Sequence, residues 1–376
     1  MMQEGSMPTR LERFVEQMRA AGVDAAALVP GPNMGYLTGL DFHLSERPVI
    51  AFFRAVGGGA LLLPRLEASK AEHTREPVDW GLFPYSDEEG PDLASARACA
   101  ALNLAEGRLA VEQLTMRVLE LEMVRRDAPG VRFTPAEPLL STLRITKDAL
   151  ELDHMRRAVA IAESALTRTL PQVRIGMSER EVAAELMVHL LQGGSEGMPF
   201  QPLVQSGPNT ASPHGVTGDR KLELGDLLLF DFGAMAGGYI SDITRTFAVG
   251  ELDPELGRVH EIVQAANAAG RAAARPGLTC QEVDRAARRV IEEAGYGPYF
   301  IHRTGHGLGL EVHEPPYMVE GNTQLLEIGM TFTIEPGVYL PDRGGVRVED
   351  DVVITADGCE SLTGFERRLQ VLDREG

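Results

Sequence analysis

The chain has 376 residues, 36 of them basic and 55 acidic, for a formal net charge of -19. That excess of carboxylates repels a phosphate backbone and argues against a nucleic-acid binder, while a hydrophobic share of 44% supports real cores rather than disorder. The length suits two domains.

The start, residues 1–14, is polar and has no apolar stretch ahead of a cleavage site. No later apolar run is long enough to cross a bilayer, so a cytoplasmic location is the expectation. Leu11, Phe14, Val15 and Met18 share a helical spacing, which predicts a helix over 10–21 stopped by Gly22. Residues 25–29, 49–53 and 60–63 are short apolar runs expected as strands, the last two joined by a turn at Gly57, Gly58 and Gly59. Residues 109–111 read as another strand between helical stretches. Residues 1–145 are thus expected to form an α/β domain, without a dense group of metal ligands.

Residues 141–148 read as a domain boundary, after which 146–376 form a second domain. Thr146 or Asp148 is placed to cap a long helix whose apolar face includes Ile161 and Leu166 and which Pro171 ends. Ser178 with Glu181, and Thr279 with Glu282, fit the reciprocal capping pattern for two further helices. Residues 259–274 read as another helix. Strands are expected over 226–232, 239–249, 330–334, 337–340, 345–349 and 352–355, with a turn at Gly237 and Gly238. This domain is therefore α+β, built on a curved and largely antiparallel sheet. Cys99, Cys280 and Cys359 are far apart and odd in number, which suits buried free thiols rather than disulfides or a zinc site.

Five segments carry polar residues of the right type to bind a metal. Asp231 ends an apolar strand, and Asp242 follows eleven positions later (242 - 231 = 11) across the glycine turn. A hairpin brings both carboxylates to one end of a strand pair, where they repel unless protonated or neutralised by a cation. His306 lies between Gly305 and Gly307, which leave it open to approach a metal. Glu335 follows an apolar strand and precedes Pro336. Arg347 and Glu349 share one side of an extended segment. Each residue alone has an ordinary explanation as a turn cap, a solvent-facing group or a salt-bridge partner. Together they place several polar side chains beside apolar strands, where burial without partners is costly. Carboxylates with one imidazole suit Mn, Co, Zn or Fe.

The segments DFGAMAGGYISDITRTF, HRTGHGLGLEVHE, FTIEPGVY and GGVRVEDDVVIT resemble the pita-bread metallopeptidases, which include prolidase, aminopeptidase P and methionine aminopeptidase. The resemblance spans about 148–370. The first domain, including Asn33 to Gly39, is similar to the one preceding the catalytic domain in the prolidase and aminopeptidase P branch. The resemblance implies two divalent ions on Asp231, Asp242, His306, Glu335 and Glu349, with Asp242 and Glu349 bridging. It implies substrate-handling roles for His214, His313 and Arg347, and a proton-accepting role for Glu335. Tyr239 and Arg245 are open between support of the hairpin and a part in the site. His302, four positions before His306, is left out of the ligand set. The implied activity is Xaa-Pro dipeptidase. The alternatives are an Xaa-Pro aminopeptidase acting on longer peptides and a non-catalytic binding protein of the same fold. Mn2+ is the preferred ion, with Co2+, Zn2+ and Fe2+ also compatible. The expected partners are short peptides with proline second and another copy of the chain in a homodimer.

Overall fold

The computed structural model describes residues 8–73, 79–104 and 106–372, and the chain divides into two compact units at Arg144 and Ile145. The first seven residues, part of the polar start read above, lie outside the described residues. Among the described residues no helix is long and apolar enough to cross a membrane.

The first unit holds one mixed sheet. Its strands are β1 (Ala25–Leu28), β2 (Ile50–Arg54), β3 (Gly59–Pro64), β4 (Trp80–Tyr85), β5 (Glu106–Val111) and β6 (Gly130–Pro135), in the order β4-β3-β2-β1-β5-β6. The apolar runs at β1, β2 and β3 are buried almost throughout, so composition alone marks them. β4 and β6 are the two edges and stay partly exposed; Gly81 and Pro84 weaken the strand signal of β4, and Arg132 and Thr134 break the apolar run of β6. Gly57 and Gly58 adopt φ of 91° and 74° in the turn between β2 and β3. The helix Arg10–Ala20, capped reciprocally by Thr9 and Glu12, buries Phe14 and Met18. Phe14 meets Phe53 of β2 edge-on, with centroids 5.7 Å apart.

In the second unit, Asp148 and not Thr146 caps the helix Ala149–Thr169. Asp148 accepts from the Glu151 N–H, and Glu151 accepts from the Asp148 N–H in return. Thr146 instead bridges to Met330. The capping pairs Ser178/Glu181 and Thr279/Glu282 form as expected, opening the helices Glu179–Gln192 and Cys280–Glu293. The remaining long helix starts at Pro254 rather than at residue 259. Asp253 caps it, and Pro254 sits in the first turn, where a missing N–H has no helical partner to lose.

The strands of this unit are β7 (Leu203–Ser206), β8 (Leu227–Phe232), β9 (Met235–Ala236), β10 (Tyr239–Ile240), β11 (Ile243–Val249), β12 (Gly305–Gly307) and β13 (Glu314–Met318). They continue as β14 (Thr331–Ile334), β15 (Gly337–Leu340), β16 (Gly344–Arg347), β17 (Asp350–Thr355), β18 (Gly358–Ser361) and β19 (Val371–Leu372). The larger sheets run β19-β11-β8-β7 and β13-β12-β14-β17-β18, with β9–β10 and β15–β16 as separate pairs. All pair antiparallel except β11 with β19. Phe230 of β8 and Phe247 of β11 are buried and meet edge-on at 5.6 Å. Burying each ring contributes roughly 1.5–3 kcal/mol and fixes the two strands that carry the site's first carboxylates. Cys99 and Cys280 are buried free thiols as expected, whereas Cys359 is only partly buried.

His260 is buried on the helix Pro254–Ala273. Burial, aided by the charge of Arg245, lowers its pKa to about 4. An unfolded histidine titrates near 6.5. As pH falls from about 6.5 to about 4, the unfolded chain takes up a proton that the folded chain refuses, so stability is lost across that window. The full loss is on the order of 3 kcal/mol. Urea titrations of His260→Gln at several pH values are expected to show a flatter acid limb. A slope equal to that of the parent would remove His260 from this account.

Candidate metal centre

Strand alternation explains why Asp231 faces a cleft. Phe230 and Phe232 on either side of it are buried in the core, so the side chain between them points to the opposite face of β8. In the β8–β11 register Thr244 lies opposite Asp231 and Ile243 opposite Phe232. Asp242, just before β11, is thereby delivered to the same end of the pair. Gly237 and Gly238 turn the chain within the small β9–β10 pair inserted between these strands. The Asp242 N–H donates to Asp351 Oδ2 at 3.0 Å, which ties this carboxylate's backbone to β17.

His306 is the central residue of β12. Its flanking glycines serve a different end from the one expected. A Cβ at Gly305 would run into the Thr333 carbonyl, and one at Gly307 into the Pro315 carbonyl. The glycines therefore admit neighbouring backbone rather than a metal. His306 Nδ1 lies 3.1 Å from the Gly307 carbonyl, and Nε2 lies 3.7 Å from Asp242 Oδ2 and 3.5 Å from Glu335 Oε1. With Nδ1–H donating to the carbonyl, the Nε2 lone pair is left for a cation. Glu349 sits between β16 and β17, and its Oε2 accepts from the Thr244 hydroxyl at 2.6 Å.

Asp242, His306 and Glu349 each offer a ligand atom within 4.8 Å of the others, and all three are buried. Asp231 and Glu335 line the same cleft. Burial first, then the neighbouring carboxylates, pushes the Asp242 and Glu349 carboxyl groups well above their ordinary range. Burial raises Glu335 to about 7 and lowers His306 to about 3. Arg347 pairs with Asp231, but Asp242, Glu335 and Glu349 around one neutral imidazole cannot all ionise there without a further cation. Asp242 Oδ1 is buried and has no hydrogen-bond partner among the described residues. This orphaned oxygen, beside a donor set of carboxylates and one imidazole, fits a first-row divalent ion.

All eight expected site residues, His214, Asp231, Asp242, His306, His313, Glu335, Arg347 and Glu349, line one cleft of about 500 Å³. The His306 and His313 rings meet edge-on at 4.2 Å. Arg347 is fully engaged. It donates to Asp231 Oδ2 at 2.5 Å, to the Thr244 hydroxyl at 3.0 Å, to the Tyr339 hydroxyl at 2.9 Å and to the Pro213 carbonyl at 3.5 Å. Tyr239 and Arg245 are supports. The Tyr239 hydroxyl donates to Glu151 at 2.7 Å, and Arg245 ties β11 to the backbone at Glu349 and Phe365.

His302 and Arg303 also line the cleft, and sequence reading singled out neither as a site residue. His302 Nε2 accepts from the Tyr339 hydroxyl at 2.9 Å. His302 Nδ1–H donates to the Arg303 carbonyl at 2.7 Å, which leaves Nε2 as the acceptor. Burial keeps Tyr339 and His302 neutral, raising Tyr339 to about 12 and lowering His302 to about 4. No local pattern marks this pair, because the partners lie 37 positions apart.

The loop carrying His214 is held from below by Glu179, which is wholly buried. Its Oε1 accepts from the Ser206 N–H at 2.7 Å, the Ser206 hydroxyl at 3.0 Å and the Asn209 amide at 2.9 Å. Its Oε2 accepts from the Gly218 N–H at 2.9 Å. Glu179→Ala leaves these donors unmet and is expected to cost about 2–4 kcal/mol. Urea denaturation measures the loss, and amide exchange over 207–218 should accelerate. Unchanged exchange there would show that Glu179 does not anchor the loop.

Residues 153–356 match metallopeptidase family M24, and residues 10–146 match the creatinase/prolidase N-terminal domain. A Xaa-Pro dipeptidase of Pyrococcus furiosus is 35% identical over 366 residues, spanning 96% of this chain and all of that one. The crystal structure of a dipeptidase from Pyrococcus horikoshii OT3 matches with a TM-score of 0.92 at 40% identity, covering 96% of this chain and 100% of the other. That of a recombinant prolidase from Thermococcus sibiricus gives a TM-score of 0.92 at 35% identity, covering 98% and 100%. The architecture is accordingly an α/β N-terminal domain followed by an α+β catalytic domain of the pita-bread type.

Proposed function

Since the chain belongs to metallopeptidase family M24, we propose that it is a Xaa-Pro dipeptidase, hydrolysing dipeptides whose second residue is proline with the aid of two divalent ions. The observation that carries this reading is the convergence of Asp231, Asp242, His306, Glu335 and Glu349 with His214 and His313 in one small cleft. The full-length likeness to a Xaa-Pro dipeptidase and to a prolidase supports the choice of substrate.

Asp231, Asp242, His306, Glu335 and Glu349 would hold the ions, with Mn2+ preferred. When bound, such ions acidify water and polarise the scissile carbonyl. The protein's own groups do the rest. Glu335 takes the proton of the attacking water on its carboxylate and can return it toward the departing proline nitrogen. His214 and His313 face the carbonyl oxygen and stabilise the charge that develops there. Asp231, fixed by Arg347, receives the substrate's free amine. Phe200, Pro213 and Val312 give the cleft apolar walls suited to a proline ring. Three free cysteines accord with a reducing, cytoplasmic setting. The homodimer in this reading rests on the family resemblance.

The test is hydrolysis of Ala-Pro and Ala-Pro-Ala by the Mn2+-loaded protein under matched kinetics. Selectivity of at least about tenfold for Ala-Pro, a difference of about 1.4 kcal/mol, is the expected result. Selectivity of that size for Ala-Pro-Ala would move the reading to a Xaa-Pro aminopeptidase. Hydrolysis of neither by folded, metal-loaded protein would contradict the substrate class.

A further inference from the structure

We infer that the Arg303 guanidinium is the anchor for the substrate's free carboxylate, and hence the group that confines this cleft to dipeptides. The inference rests on the Xaa-Pro dipeptidase reading and adds the residue that makes it a dipeptidase.

A dipeptide is a zwitterion, so a site that selects it must answer a cation at one end and an anion at the other. The acidic end is Asp231. Two arginines line the cleft. Arg347 has all three of its nitrogens directed at Asp231, Thr244, Tyr339 and Pro213. Its donors are engaged before any substrate arrives. Arg303 differs. Its guanidinium lies over the Tyr317 ring, 4.5 Å from the centroid. No carboxylate forms an ion pair with it among the described residues. A contact of this kind occupies no hydrogen-bond acceptor, so the guanidinium donors are left for a carboxylate, which they can hold in two parallel bonds.

The platform is tied to the metal centre. Tyr317 on β13 lies directly opposite His306 on β12. The Thr304 N–H, next in chain to Arg303, donates to the Met318 carbonyl at 3.0 Å. The same ladder therefore sets the distance between the ligand His306 and the cation at the cleft wall. Two extended residues span at most about 7 Å, so a dipeptide's two ends both lie within one small cleft. A longer peptide would present a neutral amide to Arg303 instead of a carboxylate, and would leave the cation desolvated without a counter-charge.

The experiment measures kcat/KM for Ala-Pro and for Ala-Pro amide, which lacks the terminal charge, with Mn2+-loaded parent protein, Arg303→Gln and Arg303→Lys. The parent is expected to favour the free acid on the order of 100-fold, the size of losing one partner of a charge-assisted pair. In Arg303→Gln this ratio should fall to near 1, mainly through KM, while Arg303→Lys keeps part of it. Melting midpoints of all three proteins serve as the folding control. A ratio in Arg303→Gln equal to the parent's would overturn the assignment and leave the Xaa-Pro reading standing. So would parallel loss on both substrates, which would make Arg303 a support for the cleft. A parent protein that hydrolyses neither compound would overturn both readings together.

Discussion

Asp242→Asn and Glu349→Gln are each expected to abolish tight uptake of divalent ions and to lower kcat/KM by at least about 10³-fold, equivalent to about 4 kcal/mol. Both substitutions keep the side chain's size and remove its charge. Asp242 brings to the cluster an oxygen with no hydrogen-bond partner among the described residues, and Glu349 faces the same point from the β16–β17 connection. The metal-free proteins should behave in the opposite sense. In the parent, burial and the neighbouring carboxylates oppose ionisation of Asp242 and Glu349. Removing one carboxylate relieves that repulsion, so the metal-free variants should melt at or above the metal-free parent. Added Mn2+ should raise the parent's midpoint, because an ion bound only by the folded state stabilises it, and should barely move the variants'. Elemental analysis and melting curves read both effects. Normal metal content with normal turnover in either variant would remove that residue from the centre.

Arg245→Met is expected to cost about 3–5 kcal/mol of stability, the range found when one partner of a buried ion pair is removed. Arg245 is 2% exposed. It donates to Asp350 Oδ1 at 2.8 Å and to the carbonyls of Thr244, Glu349, Phe365 and Glu366 at 2.5–3.1 Å. A methionine fills much of the volume and satisfies none of these acceptors. Asp350 keeps Arg367, 2.6 Å away, which limits the damage at that carboxylate. The Thr244 carbonyl also accepts from the Glu349 N–H at 3.1 Å, but the carbonyls of Glu349, Phe365 and Glu366 have no second donor among the described residues. Because one belongs to Glu349, metal affinity should weaken along with stability. Arg245→Lys should recover little, since a single ammonium cannot reach acceptors spread around a planar fork. A loss below about 1 kcal/mol in urea titrations would show that the network tolerates a gap.

Local signals explain most of what the sequence disclosed. The reciprocal caps at Ser178 and Thr279 span three residues and were legible at once. β1, β2 and β3 were legible because they are buried almost throughout, whereas the edge strands β4 and β6 were not. The start of the helix at Pro254 was missed because apolar periodicity begins later than its cap. Asp231, Asp242, His306, Glu335 and Glu349 stood out because acidic residues and a histidine adjoined apolar strands and glycine turns. The groups that hold and complete the site were hidden for a common reason. Glu179 under the His214 loop, Tyr339 between His302 and Arg347, and Tyr317 under Arg303 act through partners from 8 to 39 positions away, a separation that no local pattern encodes. The glycines around His306 show a subtler gap. Their presence was evident, but the carbonyls of Thr333 and Pro315 that require them become visible only once the β12 ladders are formed.

The central claim is that these five side chains hold the ions on which Xaa-Pro hydrolysis depends. Its most direct test is to strip the protein with a chelator, titrate it with Mn2+, and follow bound metal and Ala-Pro hydrolysis in the same samples. The account predicts that both rise together and level off at two ions per chain. Full hydrolysis of Ala-Pro by the metal-free protein would contradict it.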